Sequence, residues 1–199
     1  MATPTTQSRE TRLWLIRHGE TAWSADGRHT GRTDVPLTST GQRQARALAA
    51  SLVGVSFTRV LTSPLQRAAE TCRLAGYGDR AEGCEALMEW DYGDYEGLTT
   101  DQVRETRPDW LIWSGAVPGG ETLGHVAERA DRVIDALVDC AGDIALFAHG
   151  HLLRILAARW LGLPPDHGRL FILDAGSISR LGHEHHLRAI AAWNQAPAV

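Results

Sequence analysis

Apolar residues fall in short unbroken runs separated by stripes of helical spacing. Residues 13–16 (LWLI) make the first run, which reads as a strand covered on both faces. It stops abruptly at Arg17, His18 and Gly19. Residues 22–37 are rich in Gly, Asp, Ser and Thr, a long loop of the kind that carries function in a compact domain. Thr38 or Ser39 then opens a helix to about Val53, with Ala45, Leu48, Ala49 and Leu52 on its apolar stripe and Gly54 as its stop. Residues 58–62 (TRVLT) predict the next strand, and Pro64 introduces a helix ending near Gly76. Strand, helix, strand, helix points to a parallel sheet and an α/β fold.

An acidic and aromatic segment, 82–97, interrupts this alternation. A short helix over 100–106 ends before Pro108, and 114–121 (SGAVPGGE) is a Gly/Pro loop. Val126, Ala130, Val133, Ile134 and Leu137 predict a helix over 122–140. Residues 144–148 repeat the logic of the first run, ending in His149, Gly150 and His151. A helix over 152–161 is closed by Gly162 and Pro164, and 170–193 reads as two or three strands around Gly176 and Gly182. No repeat or linker divides the chain, so 1–199 is expected to be one domain, with 1–10 a loose lead-in.

Composition narrows the chemistry. At 199 residues with 43% hydrophobic content, the chain can bury a core without disulfides or metals. A net charge of −4 provides no basic footprint for nucleic acid. No apolar run approaches a membrane span and residues 1–10 lack the apolar region of a signal peptide, so a cytoplasmic location is expected. Three cysteines without CxxC spacing suggest neither a disulfide framework nor a zinc knuckle. All 20 Lys+Arg positions are arginine, which excludes a lysine-dependent phosphate loop or Schiff base and leaves the forked guanidinium as the anion-binding group.

In open α/β sheets ligands bind beyond the carboxyl ends of strands. Arg17-His18-Gly19 and His149-Gly150-His151 end apolar strands there, and Arg67 and Glu89 lie near helix starts. Two histidines, two arginines able to reach one anion and a carboxylate among aromatics are the parts of a phosphoryl-transfer site with a covalent histidine. His18 would be the nucleophile, with Arg17, Arg67 and a protonated His149 balancing the phosphoryl oxygens and Glu89 serving as general acid and base.

LIRHGET (15–21), SPLQRAAET (63–71), EWDYGDYEG (89–97), PGGE (118–121) and AHGHLLR (148–154) resemble, in order and spacing, the motifs of the histidine phosphatase superfamily, also called phosphoglycerate mutase-like. That resemblance implies a three-layer α/β/α sandwich with a mostly parallel central sheet. It implies phosphorylation of His18, a phosphate pocket of Arg17, Arg67 and His149, and Glu89 as proton donor. By that resemblance Thr30 and Gly31 would add contacts to phosphate and substrate; Tyr92 and Gly150 are further candidate binding residues, and Glu121 is expected either to meet a polar substrate group or to begin the helix, where the dipole favours an acidic residue. Ser24 stands where the family often has Asn, and its shorter hydroxyl would take that place.

The family holds both mutases and phosphatases, and mutases usually carry a long insertion before the second histidine motif. Here only 60 positions separate Glu89 from His149, so the resemblance favours a metal-independent phosphatase acting on small phosphorylated metabolites, closest to the acid phosphatases and sugar bisphosphatases. The alternatives are a phosphoglycerate mutase and a strictly sugar-specific bisphosphatase. Trp23, His29, Trp90, Tyr92, Tyr95, Trp110 and Trp113 are expected to wall the pocket or pack its loops. A metal site using His149-x-His151 or HEHH (183–186) is the competing reading; its imidazoles lack a carboxylate set, so no metal or other cofactor is expected. The expected partner is a small phosphorylated substrate, with neither nucleic acid nor membrane, and a homodimer is the assembly this reading allows.

Overall fold

The computed structural model describes residues 10–197, so most of the expected lead-in lies outside the described residues. Six strands form one sheet: β1 (Thr11–Arg17), β2 (Phe57–Thr62), β3 (Ala81–Gly83), β4 (Gly142–Ala148), β5 (Ile178–Glu184) and β6 (Leu187–Gln195), in the order β3-β2-β4-β1-β5-β6. The first four pair in parallel, and β5 runs antiparallel to both β1 and β6. The helices are α1 (Ala22–Ala25), α2 (Ser39–Ser51), α3 (Gln66–Leu74), α4 (Thr100–Thr106), α5 (Leu123–Leu137) and α6 (Gly150–Trp160).

The continuous apolar runs of β1 and β4 exist because both faces of the sheet are covered. Successive side chains alternate between faces. Leu13 and Leu15 join Ile144, Leu146 and Ala148 in a core filled from α5 and α6 by Val126, Ile134, Leu152 and Leu156. Ile16, Ala145 and Phe147 face the other way, onto Leu48 of α2, Leu52 at its C-cap and Cys72 of α3. The result is the expected three-layer sandwich.

This topology places the site. The chain leaves β1 outward to β2 and β3 with α2 and α3 on one face, returns by α5 on the other, and inserts β4 between β2 and β1. Arg17 pairs with Ala148, so the residues after β1 and β4, His18 and His149, emerge side by side.

Several expectations are corrected. β1 starts at Thr11 because its hydroxyl ties it to the carbonyls of Val138 (2.7 Å) and Cys140 (2.8 Å). β3, a three-residue edge strand, carries no apolar run and so left no sequence signal. The 22–37 loop contains α1, closed by a capping box between Thr21 and Ser24. Residues 170–177 form no strand; Gly182 lies inside β5, and His185 and His186 occupy the β5–β6 turn, where His185 has a φ of 54°. HEHH is therefore a hairpin tip: His183 packs on Trp160 (5.3 Å between ring centres) and His185 projects outward. Among the described residues no group of three or more His, Cys, Asp or Glu side chains is placed to hold a metal ion, and no helix is long and apolar enough to cross a membrane.

Candidate active site

His18 is fixed by its own backbone: its N–H donates to Ala148 O (3.0 Å) and its carbonyl accepts from Gly176 N (2.9 Å). Its Nδ1 lies 2.7 Å from Gly19 O, which can only accept, so Nδ1 carries the ring proton and Nε2 keeps the lone pair. Burial first, then Arg67 and Arg17, hold the imidazole well below its ordinary pKa. It is therefore a neutral imidazole held in a fixed orientation. Gly19 is required because α2 abuts it: a Cβ there would lie 2.3 Å from Gly41 O.

His149 stands 5.1 Å from His18 between ring centres, and its Nε2 is 2.8 Å from Ser63 Oγ at the end of β2. Burial, with Arg67, His18 and Arg17, also holds His149 well below its ordinary pKa. In the protein's own field the ring is therefore a neutral hydrogen-bonding group. Arg67 is fully buried, and its Nη1 and Nη2 donate to the carbonyls of Thr33, Thr30 and Gly31. Arg17 donates from Nη1 to Leu173 O. Arg17 Nε, Arg67 Nε and His149 Nδ1 are buried and have no hydrogen-bond partner among the described residues. An unsatisfied buried polar atom costs about 1–3 kcal/mol, so such a cluster around one imidazole marks a site shaped for an anion.

Glu89 reaches the same place through α6. Its Oε1 accepts from Trp90 N (3.0 Å) and Leu152 N (2.9 Å), and its Oε2 from His151 N (3.0 Å). His149 is the N-cap of α6 but makes no side-chain cap; Glu89 satisfies the helix N-terminus from a distant segment and frees the His149 ring for the site. Of the four lone-pair positions on the carboxylate, the one left open is on Oε2.

Above these groups lies a cavity of about 340 Å³, lined in part by Arg17, His18, Ser24, Thr30, Glu89, Tyr92 and Gly150. Arg67, His149 and Gly31 are not in its wall, and they contact the site from behind it. Ser24 Oγ is engaged with the backbone N–H and carbonyl of Thr21, closing the capping box. Glu121 is placed elsewhere: its carboxylate grips Arg129 through both oxygens at 2.8 Å and accepts from Asp91 N, away from the cavity lining. Of the aromatics, His29, Tyr92 and Trp113 line the cavity, Trp90, Tyr95 and Trp110 are buried in the core, and Trp23 packs on Gly97.

Sequence reasoning missed four supports. Arg129 donates to the carbonyls of Ala86, Met88 and Glu89 and so shapes the segment carrying Glu89. Its signal was a charge on the buried stripe of α5, between Val126 and Val133. Glu96 accepts from Arg32 N and Thr33 N, pinning the loop whose carbonyls hold Arg67. Thr71 Oγ1 accepts from Gly19 N (3.1 Å) and donates to Arg67 O (2.7 Å). His151 Nδ1 lies 2.6 Å from Tyr92 Oη, a phenol that burial keeps protonated, and this bond fixes the His151 ring beside the cavity.

Residues 13–196 match the histidine phosphatase superfamily (branch 1). An acid phosphatase of Mycobacterium tuberculosis is 44% identical over 188 residues, covering 92% of each chain. The sedoheptulose 1,7-bisphosphatase of Saccharomyces cerevisiae is 35% identical, covering 88% of each. A solved structure of a Mycobacterium tuberculosis open reading frame superposes with a TM-score of 0.91 at 41% identity, covering 96% of this chain and 100% of that one. With its two strand-end histidines, buried arginines and capping glutamate arranged around one anion-shaped pocket, the chain belongs to the histidine phosphatase superfamily, branch 1.

Proposed function

We propose that the protein hydrolyses phosphomonoesters of small metabolites through a phosphohistidine on His18, without a metal or other cofactor. The observation that carries this reading is the neutral His18 imidazole surrounded by three buried nitrogens with no protein partner. In the first step His18 Nε2 attacks phosphorus, the N–P bond forms and the ester P–O bond breaks. The departing oxygen takes its proton from Glu89 Oε2, whose second lone pair is not taken by the His151 amide. In the second step water attacks phosphorus, Glu89 accepts its proton, the N–P bond breaks and phosphate leaves. Arg17, Arg67 and His149 hold the phosphoryl oxygens, where preorganised donors contribute most to rate. Binding a dianion beside His149 reverses the field it feels, so phosphate entry is expected to bring a proton to that ring.

The similarity to an acid phosphatase supports water as acceptor. The three free cysteines fit a reducing, cytoplasmic setting. The test is phosphate release from an aryl phosphate, 3-phosphoglycerate and sugar bisphosphates in excess chelator, with a quench into alkaline detergent to trap the phosphoenzyme and acid treatment of the trapped protein to show its lability. An acid-labile phosphoenzyme in the parent, absent from His18→Ala, is expected. Isomerised 3-phosphoglycerate exceeding released phosphate would establish a mutase instead.

A further inference from the structure

The cavity wall holds more positive charge than one phosphate requires. Its charged lining residues are Arg17, Arg28, Arg154 and Glu89, and Glu89 is occupied by helix amides. Arg17 belongs to the phosphate end; Arg28 and Arg154 do not.

Arg154 is the more informative of the two. It lies on α6 four residues after Gly150, hence on the same helix face and about 6 Å further along the axis. Gly150 itself abuts Arg17, since a Cβ there would sit 3.4 Å from Arg17 Cζ. The Arg154 guanidinium lies over Trp113, 4.7 Å from the ring centre. Its Nε donates to Gly168 O (3.0 Å) and its Nη2 to Arg169 O (3.3 Å), which leaves Nη1 without a partner. Among the described residues no carboxylate lies within 4.0 Å of this half-buried cation. His151, one turn back on α6, adds a second polar group: its Nδ1 is taken by Tyr92, and its Nε2 is left for the cavity it lines. Arg28 is held loosely, 3.5 Å from Asp26 with both side chains exposed.

We propose that Arg154, with His151 Nε2 and Arg28, forms a second anion subsite, so that the preferred substrates carry a negatively charged group, carboxylate or second phosphate, at the end remote from the scissile phosphate. This rests on the phosphatase reading above and specifies its substrate class. Arg154 is a specificity residue that touches the non-reacting end of the substrate. The unpaired cation then has a partner in the complex, and Trp113 and the two carbonyls keep the guanidinium plane fixed for a two-pronged grip.

The experiment is steady-state kinetics on two matched pairs, in parent, Arg154→Gln and Arg28→Gln. One pair is 3-phosphoglycerate against glycerol 3-phosphate, which tests a carboxylate; the other is fructose 1,6-bisphosphate against fructose 6-phosphate, which tests a second phosphate. The parent is expected to prefer the doubly anionic member of at least one pair by tenfold or more in kcat/KM. Arg154→Gln is expected to lower kcat/KM for that member 10- to 100-fold, chiefly through KM, and to change the neutral-ended member less than threefold. Arg28 is exposed, so Arg28→Gln is expected to fold and to show a smaller loss of the same selectivity. Equal rates within both pairs in the parent, or losses in the variants that are equal for both members, overturn the subsite and leave the phosphatase reading standing. No phosphate release from any substrate overturns both.

Discussion

Replacing Arg129 with Gln is the sharpest test of how the proton donor is held. Arg129 is 8% exposed, and its three nitrogens bind both oxygens of Glu121 and the carbonyls of Ala86, Met88 and Glu89. Removing the cation leaves a largely buried carboxylate, supported by Asp91 N and, at 3.5 Å, by Arg32. Breaking one partner out of a buried ion pair costs about 3–5 kcal/mol. For a chain of this size each kcal/mol lowers Tm by about 2–4 °C, so a drop of about 6–20 °C is expected by differential scanning calorimetry. The Glu89 carboxylate keeps its three amide donors, so the donor is displaced rather than lost, and kcat should fall by about tenfold, with phosphoenzyme formation still detectable. The double variant Glu121→Gln/Arg129→Gln removes both charges and should be less destabilised than the sum of the single variants by about 1–3 kcal/mol. Strict additivity, or a Tm for Arg129→Gln within about 1 °C of the parent, would refute the clamp. The clamp is also acid-sensitive. Although burial opposes it, the bonds from Arg129 and Asp91 N bring Glu121 below its ordinary pKa. Its contribution is therefore complete above the unfolded carboxyl value of about 4.3 and is lost as pH falls below it.

Gly31→Ala would place a Cβ 2.1 Å from Glu96 Oε1 and 2.3 Å from Trp90 O. The loop holding Arg67 must then shift, and a loss of about 1–3 kcal/mol in stability with at least a tenfold fall in kcat/KM is expected; parent-like kinetics would show that this loop does not position Arg67. Ser24→Ala removes the hydroxyl's bonds to Thr21 N and O, leaves the backbone N–H of residue 24 on Thr21 Oγ1, and should cost about 1 kcal/mol in thermal unfolding. Its hydroxyl is committed to that cap, so kcat/KM should change less than about fivefold; a larger fall would give Ser24 a direct phosphate contact. His18, His29, His149 and His151 are all held below their ordinary pKa by burial. Below about pH 6.5 the unfolded chain takes up protons that the folded one does not, so Tm should fall from pH 7.5 to 5.5, and inorganic phosphate should reduce that fall. An unchanged slope with phosphate would refute its coupling to His149.

Much of this was legible in the chain because the strands at the site are buried on both faces and so read as unbroken apolar runs. The residues closing β1 and β4 were conspicuous because polarity begins so sharply at Arg17 and His149. What the sequence hid depends on partners far away along the chain. Glu121 looked like a substrate contact in a Gly/Pro loop, and only the fold reveals that α5 turns Arg129 toward it. Glu89 looked like an acid among aromatics, yet three amides surround its carboxylate, two of them from a helix 61 residues later. The pull of burial and of Arg67 and Arg17 against a charge on His149 was also hidden, because those arginines reach it from other elements of the fold. β3 was invisible because a three-residue edge strand needs no apolar alternation.

The level pairing of Arg17 with Ala148 limits how such a protein can vary. A one-residue insertion in either strand would move its histidine by about 3.3 Å and turn it to the opposite face of the sheet. The two strands must therefore change length together or not at all. The segment carrying Leu111, Ile112 and Trp113 is tied down in another way: Ile112 is buried in the core, and Trp113 packs on Trp90, His151 and Arg154 while lining the cavity. Its cavity-lining side chains can therefore change only together with their core neighbours, whereas the β1–β4 register alone keeps the two histidines abreast.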